Sequence, residues 1–260
     1  MKGAVLIKFM ATHLPAPVFL AALGMAFLTT GSGSAQTASP QALRLPGILG
    51  DNMVLQQEKP ARIWGWAKPG ADVTVSIAGQ KKSATADADG KWKVELDPIR
   101  DAAPLEMRVS SGTESLAVKN ILPGEVWVCS GQSNMAVTVS EAADAAGEIV
   151  KSADPKLRFF TTEFHAPSVP DEDTSGKWVE STPQTAAAFS ATAYFFGREL
   201  RKALDRPVGL ILSANGSTVA ESWISREALN SEPALQPIVD ALKDRVIDPK
   251  GWDMHLPTGL

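Results

Sequence analysis

The sequence predicts a small antiparallel β-sandwich followed by an α/β layer domain. Between residues 43 and 120, short runs alternating apolar and polar side chains are separated by Gly-, Pro- and Asp-rich turns, with no helical stretch among them. After Asn120, strand-like apolar runs alternate with longer helical stretches, the pattern of a sheet layered with helices.

The chain has 260 residues, 44% of them hydrophobic, enough to bury one large core or two modest ones. Its net charge is -4, with acids and bases interspersed. No basic run supplies the footprint that phosphate-backbone binding requires, so nucleic acid is not an expected partner. Near the start, Lys2 and Lys8 precede the apolar stretch Val18 to Leu28, and small residues follow up to Gly33-Ser34-Ala35. A membrane-spanning helix needs about 20 apolar residues. This shorter stretch reads as the core of a cleavable secretory signal over residues 1–35, with a retained anchor as the alternative. The expected protein is secreted or periplasmic and has no stable membrane anchor after cleavage.

Residues 36–42 read as a polar linker, and the β-sandwich is expected over 43–120. Its strands are Ala61 to Trp66, Asp72 to Ile77, Lys91 to Leu96, Leu105 to Val109 and Glu114 to Val118, each with period two. Lys68-Pro69-Gly70, Ala78-Gly79-Gln80 and Ser111-Gly112-Thr113 supply the reversals. Asp87-Ala88-Asp89-Gly90 lacks the acidic ligand that would end a calcium loop and reads as a hairpin turn. Trp64, Trp66 and Trp92 are expected in core packing, with a sugar-stacking face as the alternative.

From residue 121 the layered pattern begins. Val126 to Cys129 suits a strand covered on both faces, and Cys129, the single cysteine, reads as an inert buried thiol. Thr138 to Lys151 is expected to be partly helical, and Leu157 to Thr162 to be a second strand. Phe189 to Leu204 forms an amphipathic helix with Tyr194, Phe195 and Leu200 on its apolar stripe. Asp205-Arg206-Pro207 closes it, Val208 to Ser213 is a third strand, and Asn215-Gly216-Ser217-Thr218 makes the loop at its end.

The chemistry centres on Gly131-Gln132-Ser133-Asn134, which follows the first of these strands. Gly131 allows a sharp turn that presents the Ser133 hydroxyl at the rim of a sheet, where a base and backbone N–H groups can serve it as a nucleophile. In open α/β sheets ligands lie beyond the carboxyl ends of strands, so the Asn215 loop is expected on the same rim. Without such partners the segment is a polar turn and nothing more.

Several blocks resemble the sialate O-acetylesterase family, a branch of the SGNH hydrolases related to carbohydrate acetylesterases. Asp51 to Gln57 and Trp64 to Gly70 resemble the family's leading β-domain, Gly124 to Met135 its nucleophile block, and Phe189 to Phe196 and Gly216 to Trp223 two later blocks. The resemblance implies a flavodoxin-like three-layer SGNH domain and hydrolysis of acetyl esters on sugars through an acetyl-enzyme on Ser133, with no metal or organic cofactor. The backbone N–H of Ser133, Gly216 and the Asn215 side chain would hold the oxyanion. The family loop usually reads Trp-Gly-Gly-Thr, whereas Asn215 and Ser217 stand here for the Trp and the second Gly. Asn215 therefore remains open between oxyanion donor and turn cap.

The resemblance also implies an acid–His pair as general base. His13 lies in the signal, His165 in a connection, and Asp253-Met254-His255 has one intervening residue where the family has two. About three parallel strand candidates fall short of the family's roughly five. Residues 121–260 are thus expected to be the amino-terminal part of an SGNH domain that lacks its base, leaving an unpaired edge and little activity. Two other readings stay open: a non-catalytic carbohydrate-binding or structural β-sandwich module beside a degenerate domain, and an acetylxylan-type polysaccharide acetylesterase.

Overall fold

A computed structural model describes residues 42–100, 103–163 and 172–243. The signal, residues 36–41 of the linker, His13, His165, Asp253 and His255 lie outside them. The antiparallel region comprises β2 (Ala61–Trp66), β3 (Asp72–Ile77), β4 (Gln80–Thr85), β5 (Lys91–Leu96), β6 (Leu105–Ser111) and the first part of β7 (Glu114–Gly131). β2 pairs with β5, while β4, β3, β6 and β7 lie side by side. Period-two alternation sends Ile63, Val94 and Leu96 from the first set, and Val73, Val75, Met107 and Val109 from the second, into one core cluster. Trp92 is buried in it, Trp64 packs half-buried against it, and Trp66 is buried beneath the Arg44 guanidinium, 3.5 Å from its ring.

The Asp87 carboxylate accepts the N–H groups of Asp89 and Lys91, which is turn chemistry as expected. The turn is not a hairpin, however. It carries the chain from β4 to β5, which pair with different neighbours. Two-residue hairpins join β3 to β4, where Ile77 pairs with Gln80 across Ala78 and Gly79, both at positive φ, and β6 to β7, where Ser111 pairs with Glu114 across Gly112 and Thr113.

β7 runs on without a break from the antiparallel region into a parallel one. There it is flanked by β1 (Val54–Gln56) and β10 (Val208–Ala214), with β8 (Asp154–Thr161) beyond β10 and antiparallel β9 (Trp178–Ser181) at the edge. The result is one mixed sheet of 8 strands. The short helices α1 (Ser133–Ala136), α2 (Ala145–Val150) and α3 (Pro183–Ala187) precede α4 (Ala191–Leu204), and α5 (Arg226–Ser231) and α6 (Gln236–Lys243) follow β10.

α4 starts where the Ser190 hydroxyl accepts the Ala193 N–H and stops at left-handed Asp205, two residues before Pro207. Its buried Ala193 and Tyr194 meet Cys129, Phe159, Leu210 and Leu212 in a second core cluster. Gly197 lets helix and sheet approach closely, since a Cβ there would lie 2.5 Å from Leu210 Cδ1.

Coverage of β7 on both faces, expected from its apolar run, is not found. Trp127 is 43% and Val128 67% exposed. Trp127 turns toward α4 and meets Phe196 edge-on, with ring centroids 5.1 Å apart. Val128 points to the opposite face, where no described helix packs on it. The ladder explains the open edge: Glu125 N–H donates to Pro207 on the β10 side, whereas Gln57 N–H donates to the Gly124 carbonyl on the β1 side. β1 ends at Gln56, and among the described residues no strand pairs beyond it along Val128 and Ser130.

Candidate active site

Ser133 stands two residues past the carboxyl end of β7 and opens α1. Gly131 turns at φ 151, a conformation that disfavours a side chain, and a Cβ there would lie 3.2 Å from Met135 Cβ. The turn leaves Gln132, Ser133 and Asn134 exposed. It is tied to α4 by the Thr192 hydroxyl, which donates to the Asn134 carbonyl at 3.1 Å.

β10 lies beside β7 in parallel, so its trailing loop reaches the same rim. Asn215 N–H donates to the Gly131 carbonyl at 3.1 Å, fixing one turn against the other. Gly216 faces Ser133, and a Cβ at this position would sit 3.5 Å from Ser133 Oγ. Ser217 N–H donates to Ser133 Oγ at 3.4 Å. The Thr218 hydroxyl donates to the Asn215 carbonyl at 2.8 Å and accepts the Trp223 indole N–H at 3.0 Å.

The structure therefore brings together Ser133, Asn215 and Gly216, the three site residues read from the sequence. It also adds two that the reading missed. Ser217, at φ 63, supplies the loop N–H directed at Ser133 Oγ. The available signal was its place in the loop motif, where the family pattern has a glycine and positive φ costs nothing. Gln132 accepts both the Ser133 hydroxyl at 2.8 Å and the Ser133 N–H at 3.0 Å on a single Oε1. A polar turn residue gives no sequence signal for that.

Cys129 is 7% exposed, and burial pushes its thiol pKa up, as an inert core residue requires. Among the described residues no cluster of three or more His, Cys, Asp or Glu side chains could hold a metal, and no helix is long and apolar enough to cross a membrane. Chemically, the rim offers an exposed hydroxyl flanked by backbone N–H donors, the minimum for acyl transfer apart from a base. All three histidines fall outside the described residues.

No protein-family model matches the chain. Sialate O-acetylesterase of Mus musculus is 34% identical over 208 residues, covering 72% of this chain and 38% of the mouse protein. The Homo sapiens enzyme is likewise 34% identical over 208 residues, covering 72% of this chain and 40% of its own length. The chain thus spans about two fifths of the curated relatives it matches. A crystal structure of a carbohydrate acetylesterase from Xanthomonas citri superposes with a TM-score of 0.71 at 34% identity, over 73% of this chain and 44% of that one. By sequence this chain is similar to the sialate O-acetylesterases, and by sequence and fold to a bacterial carbohydrate acetylesterase.

Proposed function

We propose that this chain carries the nucleophile region of a secreted or periplasmic serine esterase that removes O-acetyl groups from sugars, sialic acids foremost. Residues 121–260 form the amino-terminal part of its SGNH domain, and 43–120 its leading β-sandwich. The supporting observation is Ser133, held exposed at the carboxyl end of β7 against the loop that follows β10. The Ser133 oxygen attacks the acetyl carbonyl while its proton passes to a general base, an acid–His pair lying outside the described residues. The carbonyl oxygen becomes an oxyanion beside the N–H groups of Ser133 and Gly216 and the Asn215 side chain. Collapse expels the sugar oxygen, which takes the proton, and leaves an acetyl-enzyme. Water then attacks that ester, releasing acetate and restoring the hydroxyl. No step calls for a metal or an organic cofactor.

The test is hydrolysis of p-nitrophenyl acetate and of an O-acetylated sialoside by the full-length protein. Ser133→Ala is expected to remove turnover of both. Undiminished turnover in that variant rejects Ser133 as the nucleophile.

A further inference from the structure

The two hydrogen bonds converging on Gln132 place its amide oxygen in a distinctive position. Oε1 lies 3.0 Å from Ser133 N and 2.8 Å from Ser133 Oγ. Oxyanion donors sit about 2.7–3.1 Å from the oxygen they stabilise. An acetyl oxygen bound for attack by Ser133 has to lie close to Oγ and near the same N–H. Gln132 Oε1 thus occupies the place of a substrate carbonyl oxygen and takes up the donor that would serve it. It also accepts the hydroxyl proton, which therefore points at an amide with no capacity to act as a base. Gln132 is exposed, and among the described residues these two hydrogen bonds are its side-chain anchors.

We propose that Gln132 is a built-in plug of the oxyanion site, displaced by the ester carbonyl when an acetylated sugar binds. The proposal rests on the reading of Ser133 as the nucleophile. In the resting chain the plug keeps the Ser133 hydroxyl and N–H both engaged with Gln132 Oε1 instead of with water or a stray ester. Binding then costs the exchange of one carbonyl oxygen for another, and attack begins only once Oε1 has left.

Gln132→Ala and Gln132→Met, the second preserving bulk without an amide oxygen, separate the plug from a packing role. The first readout is hydrogen exchange of the Ser133 amide by NMR, which requires no activity. The second is the rate of Ser133 phosphonylation by a fluorophosphonate probe, followed by intact mass. Both variants are expected to free the Ser133 amide and to label about fivefold faster than the native chain, the worth of one ordinary hydrogen bond. An amide equally protected in both variants overturns the plug, and so does a freed amide without faster labelling, including no labelling at all. Labelling that persists in Ser133→Ala instead strikes the nucleophile assignment, and the amide result stands apart from it.

Discussion

Replacing Arg158 by Met tests what holds the parallel sheet against the antiparallel region. Arg158 is 2% exposed. Its guanidinium donates to the Pro155 carbonyl at 3.1 Å, the Asn52 carbonyl at 2.9 Å, the Asn120 carbonyl, and Asn120 Oδ1 at 3.1 Å. Glu180 stands 3.5 Å away as its counter-charge. Asn52 and Asn120 both sit at positive φ, so the fork spans two bent segments that local preference alone would not fix. Methionine fills much of the volume but donates to none of the four oxygens. Each buried acceptor left without a donor costs about 1–3 kcal/mol. Relaxation and water entry reduce the sum, and Glu180, 38% exposed, keeps its hydration when the partner is lost, which leaves about 3–5 kcal/mol from the stranded carbonyls. The expected loss for Arg158→Met is in that range, a large share of the roughly 5–15 kcal/mol that stabilises a domain. Arg158→Lys recovers only part of it, because one ammonium lacks the fork that serves carbonyls on separate segments. Urea unfolding followed by tryptophan fluorescence measures both variants. A midpoint for Arg158→Met within about 1 kcal/mol of the native chain at unchanged slope would refute the clamp.

Two further outcomes follow from the site and the second core cluster. Ser217→Gly relieves a left-handed residue beside Ser133 and should raise stability by about 0.5–1 kcal/mol, the strain released exceeding the extra entropy of glycine in the unfolded chain; a lower melting temperature contradicts it. Burial, with the hydrogen bond to Glu148, pushes the Tyr194 hydroxyl up to about 12. A group whose folded pKa lies above its unfolded value of about 10 stabilises fully below pH 10 and loses that contribution as pH climbs toward 12, so Tyr194→Phe should abolish a decline of about 2–3 kcal/mol across this window. Identical alkaline unfolding curves for the native chain and Tyr194→Phe would count against it.

What the sequence made legible is what periodicity and turn chemistry encode. The alternating strands around Ile63, Val73, Val94 and Val109 were readable because one face of each enters a core. α4 was readable from its stripe and from the Asp205-Arg206-Pro207 stop. β4 was not, since in Gln80-Lys81-Lys82-Ser83-Ala84-Thr85 the half-buried face carries Gln80, Lys82 and a single apolar residue, Ala84, and the strand exists through backbone pairing with β3 at a charged edge. β1 and β9 are too short to show a period, at 3 and 4 residues. Arg158 misleads for a different reason: a charged residue in a strand reads as solvent-facing, and only the carbonyls of Asn52 and Asn120, distant in the chain, reveal why it is buried. At the site, the meeting of Ser133 with the Asn215 loop follows from a general rule of parallel sheets. The parts played by Gln132 and Ser217 depend on single hydrogen bonds that no local pattern announces.

The continuity of β7 has a mechanical consequence. One peptide segment serves as inner rung of the antiparallel region and as the stalk on which the Ser133 hydroxyl is mounted. A cut at residue 120 would divide a hydrogen-bonded strand, not a tether, so a fragment beginning there would start without the anchorage that aims Ser133. Loosening of the leading region should travel along this stalk and blur the alignment of Ser133 with Gly216, giving the amino-terminal half a hold over the geometry of that rim without lending it a single atom.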